Sequence, residues 1–212
     1  MNMEREFEAF LGIDSEVTYE VGKGIYQGRA RTDLYCYPYE PTPYKALKEL
    51  FDQLPLTSQD CIVDFGCGKG RVLFYCNQRF FCKVKGIEFD KELYRQLLDN
   101  AEYYHVRFHG QRKKVQLFQM DARWYHIQSE DTVFYFFNPF TKEIFDGIID
   151  AIEESVEQHP RRIYVMLYYA QDEYLTYLKE SGWQLHCMMK LPGYEYDTDE
   201  KAYVFTAPLS LV

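Results

Sequence analysis

From Cys61 to Thr206 the chain alternates short apolar runs with amphipathic stretches, and this pattern narrows its fold further than any other feature. Residues 61–65, 83–88, 115–120, 132–137 and 163–169 read as strands. The fourth, Val133-Phe134-Tyr135-Phe136-Phe137 at its centre, is almost continuously apolar, as expected of a strand covered on both faces in a parallel sheet. Helical spacing falls between them. Val72, Leu73, Tyr75 and Cys76 follow the first strand. Leu93, Leu97, Leu98 and Ala101 follow Asp90, a capping residue, in a helix over 91–105. Ile144, Ile148, Ile152 and Val156 follow Thr141, read as a second cap. A short helix over 172–180 ends near Gly182.

Such alternation implies right-handed crossovers and a single α/β domain: a doubly wound, mostly parallel sheet with helices on both faces. Residues 183–190 and 202–206 read as strands with no helix between them, hence an antiparallel C-terminal hairpin at the sheet edge. Upstream, Thr42 is expected to cap a helix with Pro43 at its first position, carrying Ala46, Leu47, Leu50, Phe51 and Leu54 up to Pro55. Residues 1–42 lack strong periodicity and are read as an N-terminal lid or substrate segment to the domain of 43–212.

Composition excludes several classes. Lys and Arg number 24 against 33 acids, and a net charge of −9 disfavours a nucleic-acid partner. The densest basic run, 107–114, is expected to be a solvated loop between helix and strand. The 20 Tyr and 16 Phe are expected mostly in the core. None of the six cysteines forms a CxxC pair, so neither a disulfide framework nor a zinc site is expected. His105 and His109, four apart, lack ligand-spaced Cys or acidic partners, so no metal is expected there either. The acidic stretch 1–10 does not read as a signal peptide, and no apolar run approaches the ~20 residues of a membrane span. A soluble protein of the reducing cytoplasm is the expectation.

The chemistry gathers at strand ends. In open α/β sheets ligands bind at the carboxyl ends of strands, near the point where strand order reverses. Here the first strand runs into Asp64-Phe65-Gly66-Cys67-Gly68-Lys69-Gly70, whose glycines permit a tight turn and close ligand approach. Glu88 ends the second strand, 20 residues beyond Gly68, where a carboxylate can accept from both ribose hydroxyls. Asp121 follows the third strand, suited to an adenine edge, and Asn138-Pro139-Phe140 follows the fourth. A dinucleotide fingerprint wants glycine where Arg71 stands, a side chain expected to crowd the helix–strand contact. A phosphate-binding loop wants Ser or Thr where Gly70 stands. No Gly-x-Ser-x-Gly elbow is present.

Taken together, Val63 to Arg71, Gly86-Ile87-Glu88-Phe89-Asp90, Met120-Asp121-Ala122 and Phe137-Asn138-Pro139-Phe140 resemble the class I S-adenosylmethionine (SAM)-dependent methyltransferases over roughly residues 40–207. The resemblance implies that Asp64, Phe65, Gly66, Cys67, Gly68 and Gly70 hold the methionine end of SAM, Glu88 and Phe89 the ribose side, and Asp121 with Ala122 the adenine. Asn138-Pro139-Phe140 is similar to the Asn-Pro-Pro-aromatic turn of amino-methyltransferases, with one Pro fewer. It is also similar to the Asn-aromatic turn of the non-SET histone-lysine methyltransferases. In the latter a loop closes over the cofactor, and Tyr39-Glu40-Pro41-Thr42 is loosely similar to it. The same triplet also suits a plain helix-start turn with Asn138 as cap.

A sulfonium methyl is already activated, so in-line positioning supplies much of the catalysis, and an amine acceptor must be neutral to attack. Asn138 is the leading residue to orient the acceptor, with Pro139 and Phe140 shaping the turn and Glu40 a candidate carboxylate. Tyr26, Tyr35, Tyr37, Tyr39 and Tyr44 could wall the pocket, Tyr39 foremost. The expected activity is methyl transfer to an amine of a protein side chain or small molecule. Nucleic-acid methylation and non-catalytic SAM binding are the alternatives, discriminated by the charge beside Asn138 and by methyl transfer itself.

Overall fold

β1 (Cys61–Phe65) has every residue buried, and the sheet is built outward from it. It pairs in parallel with β2 (Lys83–Glu88) on one side and with β4 (Val133–Phe137) on the other. β3 (Val115–Gln119) extends the sheet beyond β2, and β5 (Tyr164–Tyr168) extends it beyond β4, both parallel. β7 (Lys201–Thr206) and then β6 (Gln184–Lys190) add antiparallel, giving the order β3-β2-β1-β4-β5-β7-β6. The expected hairpin forms. Its second strand takes the inner place because Ala202, Val204 and Phe205 can be buried, whereas Leu185 and Met188 of β6 stay exposed. The computed structural model describes residues 3–16 and 39–208.

Helices cover both faces. One apolar layer takes Leu47, Leu50 and Phe51 from α2 (Tyr44–Asp52), Leu73 and Phe74 from α3 (Arg71–Phe80), and Leu97 and Tyr104 from α4 (Lys91–Arg107). Leu11 of α1 (Met3–Leu11) joins it. The other layer takes Ile148, Ile152 and Val156 from α5 (Lys142–Gln158), and Tyr174 and Leu178 from α6 (Asp172–Glu180). Strand order reverses between β1 and β4, so the carboxyl ends of β1, β2 and β4 converge on one rim.

The expected helix caps met different fates. Asp90 accepts from the amides of Glu92 and Leu93 (2.8 and 2.9 Å) at the start of α4. Thr141 stands at the N-cap of α5 without making a side-chain cap bond. Thr42 departs from expectation: α2 begins at Tyr44 behind Pro43, and the Tyr44 amide donates to Glu4 Oε1 of α1 at 2.9 Å. Thr42 is instead drawn inward, its hydroxyl 2.7 Å from that of Tyr135 in β4, whose fully buried phenol needs a partner. The basic run 107–114 closes α4 and forms a short 3-10 helix, His109–Lys114, ahead of β3.

Arg71 also departs from expectation. Its side chain leaves the sheet and binds the N-terminal segment, where it is 3% exposed. The guanidinium donates to Ser15 Oγ (2.7 Å), Glu4 (2.6 Å), Glu16 (2.8 Å) and the Thr42 carbonyl (3.2 Å), and lies 3.4 Å from Glu8 and 4.7 Å from the Tyr44 ring centroid. Burial raises the Glu4 carboxyl and the Arg71 charge opposes that rise. One cation thus holds three carboxylates of the first sixteen residues against the start of α3. Removing it strands buried acids, so Arg71→Met is expected to cost about 3–5 kcal/mol, against under ~1 kcal/mol for Glu16→Gln at the more exposed partner. Urea midpoints of both variants check this; equal midpoints would contradict the clamp.

Candidate active site

The loop between β1 and α3 is held by its own neighbours. The amides of Gly66 and Cys67 donate to the Ile87 carbonyl at the end of β2 (2.9 and 3.1 Å), and the Gly70 amide donates to the Cys67 carbonyl (2.9 Å). The Gly68 amide donates to Glu88 Oε2 at 2.8 Å, while Glu88 Oε1 accepts from the Asp90 amide at 2.7 Å. Glu88 therefore ties the loop to the second strand. The amides of Gly66, Cys67, Gly68 and Gly70 are all engaged internally, so this turn does not offer the free N–H nest that a phosphate requires.

Two carboxyl groups lie buried beside it. Asp64 is 3% exposed and Glu88 7% exposed. Burial pushes the Glu88 carboxyl up to about 7, against the pull of the Asp90 and Gly68 amides. Burial raises Asp64 well above the carboxylate range, and the negative charge of Glu88 adds to it. Among the described residues Asp64 has no hydrogen-bond partner. A desolvated carboxyl without a donor favours a cationic or N–H-bearing ligand.

Glycine is required at two loop positions by side chains that press on the backbone. A Cβ on Gly68 (φ +52°) would lie 2.1 Å from the ring of Tyr39, and one on Gly66 (φ +80°) would lie 2.9 Å from Pro139. Tyr39 and Pro139 thus meet the loop from segments before and after it in the sequence. The Tyr39 hydroxyl donates to the Ser15 carbonyl (2.6 Å), and Ser15 is itself bound to Glu8 and Arg71. Phe65 points into the core, stacked on Phe136 at 5.0 Å, and the Cys67 thiol is buried near Gly86. Phe89, by contrast, is 52% exposed on the rim, and Ala122 is buried.

At the ends of β4 and β5, Asn138 (φ +40°) and Tyr169 (φ +53°) both adopt left-handed backbone, an uncommon cost concentrated on one rim. Asn138 Oδ1 accepts from Gln171 Nε2 at 2.6 Å. A cleft of about 550 Å³ opens beside it, and its lining includes Asn138, Lys142, Tyr169, Gln171, Glu173 and Asp199. Four acids line it (Asp172, Glu173, Glu180 and Asp199) against one lysine. Phe140 is buried in the α5–α6 layer.

Other expected residues stand apart. Asp121 caps the turn Ala122–Trp124 and binds Arg123 (3.0 and 2.6 Å), which holds its carboxyl below the usual range. Glu40 is exposed and takes part in none of these bonds. Thr42 contacts Arg71 and Tyr135. Tyr26, Tyr35, Tyr37 and Cys36 lie outside the described residues. Cys61, Glu130 and Asp131 come close enough together to suggest a metal group. The Lys85 ammonium already fills that role, 2.7 Å from Asp131 and 2.9 Å from Glu130. The partners of Arg71 and the reach of Gln171 gave no local sign, since each side chain acts on residues distant in the sequence.

No family model matches the chain. A protein-lysine N-methyltransferase of Saccharolobus islandicus (strain REY15A) is 31% identical over 85 residues, which are 40% of this chain and 53% of that protein. The matched stretch thus spans about half the length of that curated relative. The solved structure of an RNA methyltransferase from Salinibacter ruber, in complex with S-adenosyl-L-homocysteine, superposes with a TM-score of 0.61 at 21% identity, over 80% of this chain and 95% of that one. A geranyl diphosphate C-methyltransferase from Streptomyces coelicolor A3(2) superposes with a TM-score of 0.53 at 13% identity, over 76% and 77%. The fold is accordingly the α/β, Rossmann-like methyltransferase fold.

The raised Glu88 carboxyl has a signed consequence. Between its unfolded value near 4.5 and about 7 the folded protein keeps a proton that the unfolded chain has lost. Stability from this group is present below that window and falls as pH rises through it. Glu88→Gln removes the slope. The stability of wild type relative to the variant is expected to drop by about 2–3 kcal/mol from pH 4.5 to 8. Urea unfolding across that range measures it, and a pH-independent difference would refute it.

Proposed function

We propose that the chain is a SAM-dependent methyltransferase that transfers methyl to an amine of a protein side chain or small molecule. The observation that carries this is the pairing of an internally bonded glycine loop with two buried carboxyl groups, Asp64 and Glu88. NAD or ATP would bring phosphates to a turn with its amides engaged and with negative charge beside it. SAM brings the opposite chemistry: an ammonium, a sulfonium and two ribose hydroxyls, all suited to carboxylates. Asp64 has its oxygens free of partners within the described residues, and each Glu88 oxygen keeps a second lone pair for a ribose hydroxyl. Phe89 offers an exposed apolar face and Ala122 a small floor for the adenine, with Asp121 at its edge.

When bound, SAM supplies a methyl carbon on a positively charged sulfur, ready for in-line attack. The residues of the chain then have three tasks. Asp64 and Glu88 orient the donor. Tyr39, seated on Gly68 and tied through Ser15 to the Arg71 clamp, supports the reading of residues 1–42 as a cover that keeps water out. Asn138 and the Pro139 carbonyl accept from the acceptor nitrogen, so that its lone pair faces the methyl.

The charge of the cleft beside Asn138 favours a cationic amine over a polyanion. Four carboxylates there attract an ammonium and repel phosphate, while the basic run 107–114 precedes β3 at the opposite, amino-terminal ends of the strands. Among the described residues no helix is long and apolar enough to cross a membrane, and five free cysteines suit a reducing compartment such as the cytoplasm.

Titration calorimetry tests the cofactor. SAM is expected to bind, NAD and ATP are not, and Asp64→Asn is expected to weaken SAM by about 10- to 100-fold, the scale of a charge-assisted hydrogen bond. Binding of NAD in place of SAM would overturn the reading. Transfer from methyl-tritiated SAM then tests the acceptor class: label on poly-L-lysine is expected, and label on bulk tRNA alone would reverse the choice.

A further inference from the structure

We propose that Gln171 is a positioning residue for Asn138, fixing which side of the Asn138 amide faces the acceptor. The proposal rests on the role of Asn138 given above and adds a residue on a different element, 33 positions away.

Gln171 stands at the N-cap of α6, where a polar side chain ordinarily accepts from the amides of the first turn. It makes no such bond. Its side chain reaches across to the end of β4, where Nε2 donates to Asn138 Oδ1 at 2.6 Å and to the Phe140 carbonyl at 3.5 Å. One turn further along, the Tyr174 hydroxyl donates to the same Phe140 carbonyl, and its ring stacks on Phe145 of α5 at 3.8 Å. The first turn of α6 therefore ties down both ends of Asn138-Pro139-Phe140. Tyr174 anchors the backbone of the turn. Among the described residues, Gln171 is the one that reaches the side-chain amide of Asn138.

That bond has a direction. An asparagine amide offers two acceptor lone pairs on oxygen and two donors on nitrogen, and its neighbour decides which way round it sits. Because Gln171 presents N–H, Asn138 must present Oδ1 on that side. Gln171 and Asn138 both line the acidic cleft, and the Oδ1 that Gln171 holds keeps a second lone pair to offer an amine N–H. With nitrogen turned there instead, Asn138 would meet an amine donor with a donor. The left-handed backbone of Asn138 gives its side chain a fixed origin, and the Gln171 bond fixes the one remaining choice.

Gln171→Glu is the discriminating substitution, because it keeps the shape and replaces the donor by a group that only accepts when ionised. The Asn138 amide is then expected to rotate. Gln171→Met keeps the volume and removes the bond without dictating a rotation. Measured on the full chain with methyl-tritiated SAM and poly-L-lysine, Gln171→Glu is expected to lower kcat by about 10- to 100-fold, as for loss of one oriented group at a reacting centre. The KM for poly-L-lysine and the calorimetric Kd for SAM should each move less than about threefold, and Gln171→Met should fall between. In ¹⁵N–¹H spectra, the Asn138 side-chain amide signals should shift in Gln171→Glu, and those of Gln171 should shift in Asn138→Ala. Wild-type kcat in Gln171→Glu, or a fall explained wholly by KM or by SAM affinity, would overturn the role. If wild-type protein binds SAM without labelling poly-L-lysine, the acceptor class fails and the spectra decide the positioning: unmoved Asn138 signals in Gln171→Glu overturn it, and shifted ones support it. Failure of wild-type protein to bind SAM would overturn the function as well, and the two failures are thereby distinct.

Discussion

The carboxylate of Glu88 holds the site together. By accepting from the Gly68 and Asp90 amides it joins the loop after β1 to the turn after β2, and it does so in a desolvated position where such bonds are strong. The loop amides consequently face inward and α3 starts immediately behind them. Arg71, the first residue of that helix, can then reach the N-terminal segment and bind Glu4, Glu8 and Glu16. Ser15 sits within the same network and takes the Tyr39 hydroxyl, returning the chain to Gly68. Loop, clamp and cover form one closed circuit of contacts, and it begins at a single side chain.

Charge explains why this circuit suits one kind of ligand. Burial makes both acids costly to ionise, and the charge of Glu88 adds to that cost at Asp64. A cation with several N–H and O–H donors relieves that cost, and a phosphate increases it. The neighbouring cleft repeats the theme with four carboxylates beside Asn138. Positive-φ backbone at Asn138 and Tyr169 concentrates strain on the same rim, at the ends of two adjacent strands.

Much of this was legible along the chain, for reasons that differ by residue. The bounds of β1, β2 and α6 match the apolar runs and turn residues because those signals are local: period and turn residue lie within a few positions of one another. Asp90 is a cap for the same reason. Thr42 failed as a cap because the deciding partners, Tyr135 and Glu4, come from other elements. Arg71 was expected to crowd the helix–strand contact and instead turns away from the sheet; nothing near it in sequence announces three acids from the first helix and its exit. The glycines were understood as room for a ligand, whereas Gly66 and Gly68 also make room for Pro139 and Tyr39. Gln171 carried no signal at all: a glutamine before a short helix is unremarkable until β4 and β5 are paired and their ends meet.

The central claim is that Asp64 and Glu88 receive the positive end of a sulfonium nucleoside, and proton linkage tests it most directly. SAM binding should be titrated at pH 6.5 in buffers of different ionisation enthalpy. A bound cation stabilises the ionised carboxyls, so net proton release is expected, seen as a binding enthalpy that varies linearly with the buffer's, and it should diminish in Glu88→Gln. Tight SAM binding with no proton release in wild-type protein would contradict the account.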